Sequence, residues 1–225
     1  MLRVTDVVKN LLIINVLMYF GTLLTLGEPN NEVLNNLVGY PNPNNFMDWG
    51  RNILAMFYPT SEYFAPYQII THMFMHGSIS HLFFNMFAVY MFGPPLENLW
   101  GSKRFLFFYL FTGFGALFLH LFVKYIELNN MGADPLSINI PVLGASGAVF
   151  GLLVGFGMNF PNTKLMLLFP PIPMKAKYFV GGYAVLELFL GLGNIGGGIA
   201  HFAHVGGALF GLLLILYWRK YGSRF

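Results

Sequence analysis

The chain has 225 residues, of which 56% are hydrophobic, 18% aromatic and only 9% charged, with a formal net charge of +3 and no cysteine. Soluble domains carry charge on about a quarter of their residues, so this composition excludes an ordinary water-soluble protein and points to an integral membrane protein. The lack of cysteine excludes disulfides, thiolate nucleophiles and Cys-ligated zinc or haem attachment.

Six apolar stretches, at residues 10–27, 78–96, 105–123, 142–159, 178–193 and 199–218, each come near the roughly 17–25 residues that cross about 30 Å of hydrocarbon. They predict an all-α, multi-pass bundle of six transmembrane helices forming one domain over residues 1–225, with its core over 10–218. The first stretch follows Arg3 and Lys9 as a secretory signal would, but no small-x-small cleavage site occurs at Gly27-Glu28-Pro29, so it reads as the first span. An Asn/Pro-rich loop follows at 29–45. The second stretch carries His81 and Asn85, four residues apart and therefore on one helical face. His120 falls near the outer end of the third, at the interface. The fourth opens on Gly144-Ala145-Ser146-Gly147, with Pro141 and Gly144 holding the preceding chain out of regular helix. The fifth carries Glu187, and the sixth carries His201, His204 and the small-residue motif Gly207-Ala208-Leu209-Phe210-Gly211.

Basic residues are retained on the cytoplasmic side. With the N-terminus cytoplasmic, Arg3, Lys9, Lys103, Arg104, Lys164, Lys175, Lys177, Arg219, Lys220 and Arg224 lie inside, and only Arg51 and Lys124 lie outside. The positive charge is thus used for topology in a lipid bilayer and calls for no nucleic acid. The pattern suits a bacterial inner membrane and leaves an organellar one open.

Depth follows from counting about 1.5 Å per residue from the inner helix ends. Ser146 lies about 21 Å above Phe160, His204 about 21 Å above Trp218, Asn85 about 21 Å above Leu99, and His81 about 27 Å above it. Three helices thus place these side chains in one band, roughly 10 Å below the outer surface. Polar side chains at that depth are expensive and mark function by default. A serine among glycines is more often a close-packing device, and Gly207 and Gly211 are read as bringing the sixth helix against the Gly144/Gly147/Gly151 face of the fourth. That contact would deliver the imidazole to the hydroxyl.

Acyl transfer needs a nucleophile, a base and donors for the oxyanion. Ser146 fits the nucleophile and His204 the base, while the Ser146 N–H, the Asn85 amide and His81 fit the donors. With no acidic residue expected at this depth near His204, the expectation is a dyad. His201, one turn further out, is expected to line the aqueous mouth. His72 and His76 have metal-ligand spacing but lack the H-E-x-x-H pattern, and no metal site is expected. Glu187 is either a hydrogen-bonded or water-facing carboxylate or a gating group.

At this point the chain resembles the rhomboid family of intramembrane serine proteases. The resemblance rests on Gly144-Ala145-Ser146-Gly147 with Phe150-Gly151, His81-Leu82-Phe83-Phe84-Asn85, His204-Val205-Gly206-Gly207 with Gly211, Gly93-x-x-Leu96-Glu97, Gly101-x-x-Arg104-Phe105 and the six-helix order. It implies a Ser146–His204 dyad, oxyanion donors at Asn85 and His81, an aromatic ring at Phe150 packed on the catalytic histidine, and lateral substrate entry near the fifth helix. It also implies transmembrane protein substrates cut near the outer leaflet, and no cofactor. One departure is Tyr67-Gln68, where many members carry Trp-Arg. The alternatives are a catalytically inactive relative that escorts membrane clients and a transporter with a histidine proton relay. No paired broken helices or inverted repeat support the latter.

Overall fold

The structure is a computed structural model that describes residues 3–25, 53–166, 172–193 and 201–222. The Asn/Pro-rich stretch at 29–45 lies outside the described residues. The described helices are α1 (Asp6–Thr25), the single turn α2 (Gln68–Thr71), α3 (Ile79–Trp100), α4 (Ser102–Asn130), α5 (Ser146–Asn159), α6 (Ala176–Leu192) and α7 (His201–Tyr221). A short antiparallel pair, β1 (Lys164–Met166) and β2 (Pro173–Lys175), lies between α5 and α6.

Each predicted apolar stretch contains one long helix, so the all-α membrane fold holds, with shifts at the ends. Among the described residues three helices are long and apolar enough to cross a membrane: Asp6–Leu24, Ser102–Asn130 and His201–Tyr221. Helix α5 is apolar but has only 14 residues, about 21 Å of helix. It begins at Ser146 rather than at 142 because Pro141 cannot join a helix interior and Gly144 has a φ of 126°, a conformation that side chains resist. The serine therefore opens its helix.

The chain packs as two compact units. The first comprises Met1–Lys9, Ala88–His120 and Ser146–Phe225; the second comprises Asn10–Phe87 and Leu121–Ala145.

In the first unit the Glu97 carboxylate accepts hydrogen bonds from the Val7 and Val8 N–H groups at 3.1 Å, Thr5 Oγ1 at 2.5 Å and Ser102 Oγ at 2.7 Å. One side chain thereby caps the start of α1, whose first N–H groups have no intrahelical partner, and reaches the start of α4. Gly93, one turn earlier, lies where a Cβ would meet Val8 Cγ2 at 2.6 Å. Gly101, at φ 78°, makes the turn into α4 and donates its N–H to Glu97 O at 2.8 Å. At the far end of α7, Arg219 Nη2 donates to Met158 O at 2.7 Å, satisfying a carbonyl left over by the last turn of α5. Between these ends α4, α5 and α7 pack through glycines: Gly151 against Thr112, and Gly211 against Gly151 Cα, where an added Cβ would stand 3.2 Å away.

The second unit is organised by Gln68. It is buried where the family resemblance leads one to expect an arginine. Its Oε1 accepts from Phe57 N at 3.4 Å and Ala65 N at 3.1 Å, and its Nε2 donates to Ile53 O at 3.2 Å and Tyr63 O at 3.0 Å. A neutral amide thus uses both donors and both acceptor sites and ties down the loop 53–68 with no charge to desolvate. Met56 and Val142 exchange both backbone hydrogen bonds at 2.8 Å, and Ser61 Oγ donates to Asn139 Oδ1 at 2.8 Å, so the chain before α5 is held to this loop. His72 closes the network. Its Nδ1 lies 2.9 Å from Gln68 O, and its carbonyl accepts the Gly144 N–H at 2.9 Å.

Replacing Gln68 with Ala leaves four loop groups without their partner, and the expected loss of stability is roughly 2–4 kcal/mol, measured by thermal or denaturant unfolding in detergent micelles. A pH dependence is also expected. Burial lowers the pKa of His72 to about 4 and that of His76 to about 3, the latter helped by neighbouring His81. Below about pH 6.5 the unfolded chain takes up these protons and the folded one does not, so the unfolded state binds more protons and stability falls as pH drops from about 6.5 toward 4. Unfolding temperatures between pH 7 and pH 4.5 read the slope, which His76→Phe should flatten.

Candidate active site

Helix α5 starts at Ser146, so its hydroxyl stands in the first turn, and His204 lies on α7. His204 Nε2 lies 2.9 Å from Ser146 Oγ. The approach is possible because Gly207, one turn after His204, meets α5 backbone to backbone: a Cβ there would run into the Gly147 carbonyl oxygen, and a Cβ at Gly147 would run into Ala116. The small residues that sequence reasoning assigned to packing therefore set the distance between the two functional groups.

Phe150, one turn into α5, stacks on the His204 ring with centroids 4.4 Å apart and an interplanar angle of 9°. Tyr183 of α6 packs on Phe150 with ring centroids 4.8 Å apart and a tilt of 45°. Phe150, Leu153 and Ala208 form a buried apolar cluster with Phe179, Val180 and Tyr183 packed against it. The ring stacked on one face restrains rotation of the imidazole and leaves its two nitrogens uncovered by Phe150.

The second nitrogen meets an acid. Glu187 Oε2 lies 2.9 Å from His204 Nδ1 and 2.7 Å from His201 Nδ1, and the Glu187 side chain is buried. The expectation that no acidic residue lies near His204 is corrected. A depth count applied to α6 would have found it: Glu187 lies about 17 Å above Ala176, within one turn of the 21 Å band. His201 is corrected as well, since it is buried and hydrogen-bonded to Glu187 rather than lining an aqueous mouth.

His81 and Asn85 belong to the other compact unit. Ser78 caps the start of α3, its Oγ accepting the His81 N–H at 3.1 Å, which fixes where the helix begins. His81 Nδ1 accepts the Gly77 N–H at 3.3 Å, so the neutral ring carries its proton on Nε2 and can donate from there. Asn85 is buried, and its Nδ2 has no hydrogen-bond partner among the described residues. An amide donor left unsatisfied in an apolar setting is costly and calls for an explanation.

One group of donors has the make-up of a metal site. Ligand atoms of Glu187, His201 and His204 lie within 4.8 Å of one another, a carboxylate–imidazole set that suits zinc. In this arrangement both Nδ1 atoms point at the carboxylate, so the three side chains bond to one another. His72 and His76 do not act as a pair: His72 Nδ1 is taken by Gln68 O, and the His76 ring sits edge-on to His81 with centroids 5.0 Å apart.

A membrane protein with a serine and a histidine joined in this way belongs to a recognisable class. The family model of the rhomboid domain matches residues 64–221, and the chain belongs to the rhomboid family. It is 33% identical over 146 residues to the mitochondrial Rhomboid protein 1 of Saccharomyces cerevisiae, covering 64% of this chain and 40% of that protein. It is 28% identical over 152 residues to Rhomboid protease AarA of Providencia stuartii, covering 63% and 52%. It is 32% identical over 175 residues to the chloroplastic Rhomboid-like protein 11 of Arabidopsis thaliana, covering 71% and 55%. The chain spans about half the length of these relatives.

Gly207→Ala tests the packing. The added methyl meets backbone that has no side chain to rotate away, so the expected cost is about 1–3 kcal/mol. Because α7 must back away from α5, reaction of Ser146 with a fluorophosphonate should be lost even where circular dichroism still shows a helical fold.

Proposed function

We propose that the chain is an intramembrane serine endopeptidase that hydrolyses transmembrane protein substrates. The observation that carries this reading is the 2.9 Å separation of Ser146 Oγ and His204 Nε2 in a chain of the rhomboid family. Ser146 Oγ attacks the scissile carbonyl carbon while His204 Nε2 takes the hydroxyl proton. The tetrahedral intermediate collapses as the imidazolium returns that proton to the departing amine, leaving an acyl ester on Ser146. Water, deprotonated by the same imidazole, then releases the acid and restores the serine. Phe150 keeps the ring at the angle both transfers need.

The developing oxyanion needs donors that are fixed before the reaction starts. Ser146 opens α5, and the first N–H groups of a helix have no intrahelical acceptor, so its own N–H is one candidate. Asn85 and His81 are carried as the others. Their sequence depth supports this, as do the Asn85 Nδ2, which has no partner among the described residues, and the Nε2–H form of His81.

The positive-inside bias supports a cytoplasmic N-terminus and a site near the outer leaflet. The relatives divide between a bacterium and the organelles of eukaryotes, so the bacterial inner membrane is no better supported than an organellar one. By resemblance, substrates are single-span helices with small residues at the cut and helix-weakening residues below it. Unwinding exposes a peptide bond that a helix shields with its own hydrogen bonds. No cofactor is needed for these steps.

Reconstituted protein is expected to cut a single-span substrate, and Ser146→Ala to lower the rate by at least roughly 10³-fold without altering the fold. A fluorophosphonate should label Ser146 and nothing else. Cleavage by the Ser146→Ala variant at the wild-type rate would sink the assignment, and a folded wild type that neither cleaves nor takes the label would favour an inactive, client-binding relative.

A further inference from the structure

We propose that Glu187 completes the site as a positioning residue, so that the machinery is a Ser146–His204–Glu187 triad braced by His201, an inference that rests on Ser146 and His204 acting as proposed above. The geometry is specific. One carboxylate oxygen, Oε2, lies 2.9 Å from His204 Nδ1 and 2.7 Å from His201 Nδ1. An ionised carboxylate only accepts hydrogen bonds, so both Nδ1 atoms carry protons. A proton on Oε2 would make that oxygen a donor to one ring and a weaker, uncharged acceptor to the other, whereas the ionised oxygen accepts from both Nδ1–H groups with charge-assisted bonds. With Nδ1–H donated to Glu187, His204 presents a lone pair at Nε2, 2.9 Å from Ser146 Oγ. That is the tautomer a general base needs.

The same contact acts on the transition state. An ionised carboxylate among apolar helices is tolerated when paired and hydrogen-bonded, and two imidazole N–H groups provide for it before any substrate arrives. When His204 takes the serine proton it becomes an imidazolium beside that carboxylate, in surroundings of low dielectric where opposite charges attract strongly. The attraction exists only once the proton has moved, so it favours the transition state over the ground state. His201 holds the acceptor still. It lies one turn before His204 on the same helix and fixes Oε2 from the other side, which accounts for a second buried histidine that the chemistry does not otherwise use.

Three measurements read the inference. Glu187→Gln keeps the shape but removes the charge and offers an amide that can favour either tautomer; kcat for a single-span substrate in liposomes should fall roughly 10- to 10³-fold with KM changed by less than about threefold. Glu187→Asp restores the carboxylate one methylene short and should recover part of the loss, which a purely structural role would not predict. In wild-type protein labelled with 15N-histidine, the resonance that disappears in His204→Ala should show the Nδ1–H tautomer with a strongly downfield Nδ1 proton. Wild-type kcat in Glu187→Gln would overturn the inference. So would an Nε2–H tautomer of His204 in the wild type, a result that depends on no Glu187 variant folding. Ser146→Ala separates the two readings: a dead Ser146→Ala beside a fully active Glu187→Gln removes Glu187 alone, whereas an active Ser146→Ala removes the nucleophile on which both depend.

Discussion

Backbone contact between α5 and α7 is the constraint from which the site follows. Gly207 has no room for even a methyl group against the Gly147 backbone of α5, and Gly147 has none against Ala116 of α4. In an apolar solvent helices gain little from hiding leucines and associate through close packing and polar contacts, so small residues decide which helices touch and at what height. Ser146 and His204 each stand one step from that contact along their own helices. Their hydrogen bond is a consequence of glycine packing: the glycines that let the helices touch also hold the hydroxyl against the imidazole.

Two buried acids show how the fold handles charge where water is scarce. Glu97 accepts four donors, from Thr5 just before α1, from Val7 and Val8 in its first turn and from Ser102 at the start of α4; Glu187 accepts two imidazole N–H groups. Each carboxylate is matched to donors that have no better partner, helix-start N–H groups in one case and histidines in the other. Gln68 meets a similar demand without charge. Where the resemblance suggested an arginine, an amide with two donors and two acceptors organises the loop, at no cost in ion desolvation.

Much of this was legible in the sequence. Apolar run length located the long helices, and depth counting put Ser146 and His204 at one level because a helix rises uniformly and both helices are regular over that span. Phe150 stacks on His204 as the resemblance implied. Helix ends were less legible, since apolar residues continue beyond them: Val142 and Leu143 read as membrane but lie in extended chain fixed by a bridge to Met56. The role of Glu187 was missed for a different reason. Periodicity and hydropathy rate an acid in an apolar helix as an anomaly, and its meaning depends on two side chains that only tertiary packing brings to it. Gln68 was equally opaque, because its four partners come from an irregular loop with no period to read.

The hydrogen bond from Arg219 to Met158 O gives the α5–α7 pair a second fixed point, at the opposite end from Gly147 and Gly207. Two helices pinned at both ends must keep the same length of chain between the pins. Inserting or deleting a single residue there would rotate everything beyond it by roughly 100° and put one pin out of reach whenever the other is made. Substitutions on the outward faces of these two helices leave the pinning intact. The interval from Gly207 to Arg219 is therefore a ruler, tolerant of changes in what is written along it and intolerant of any change in its length.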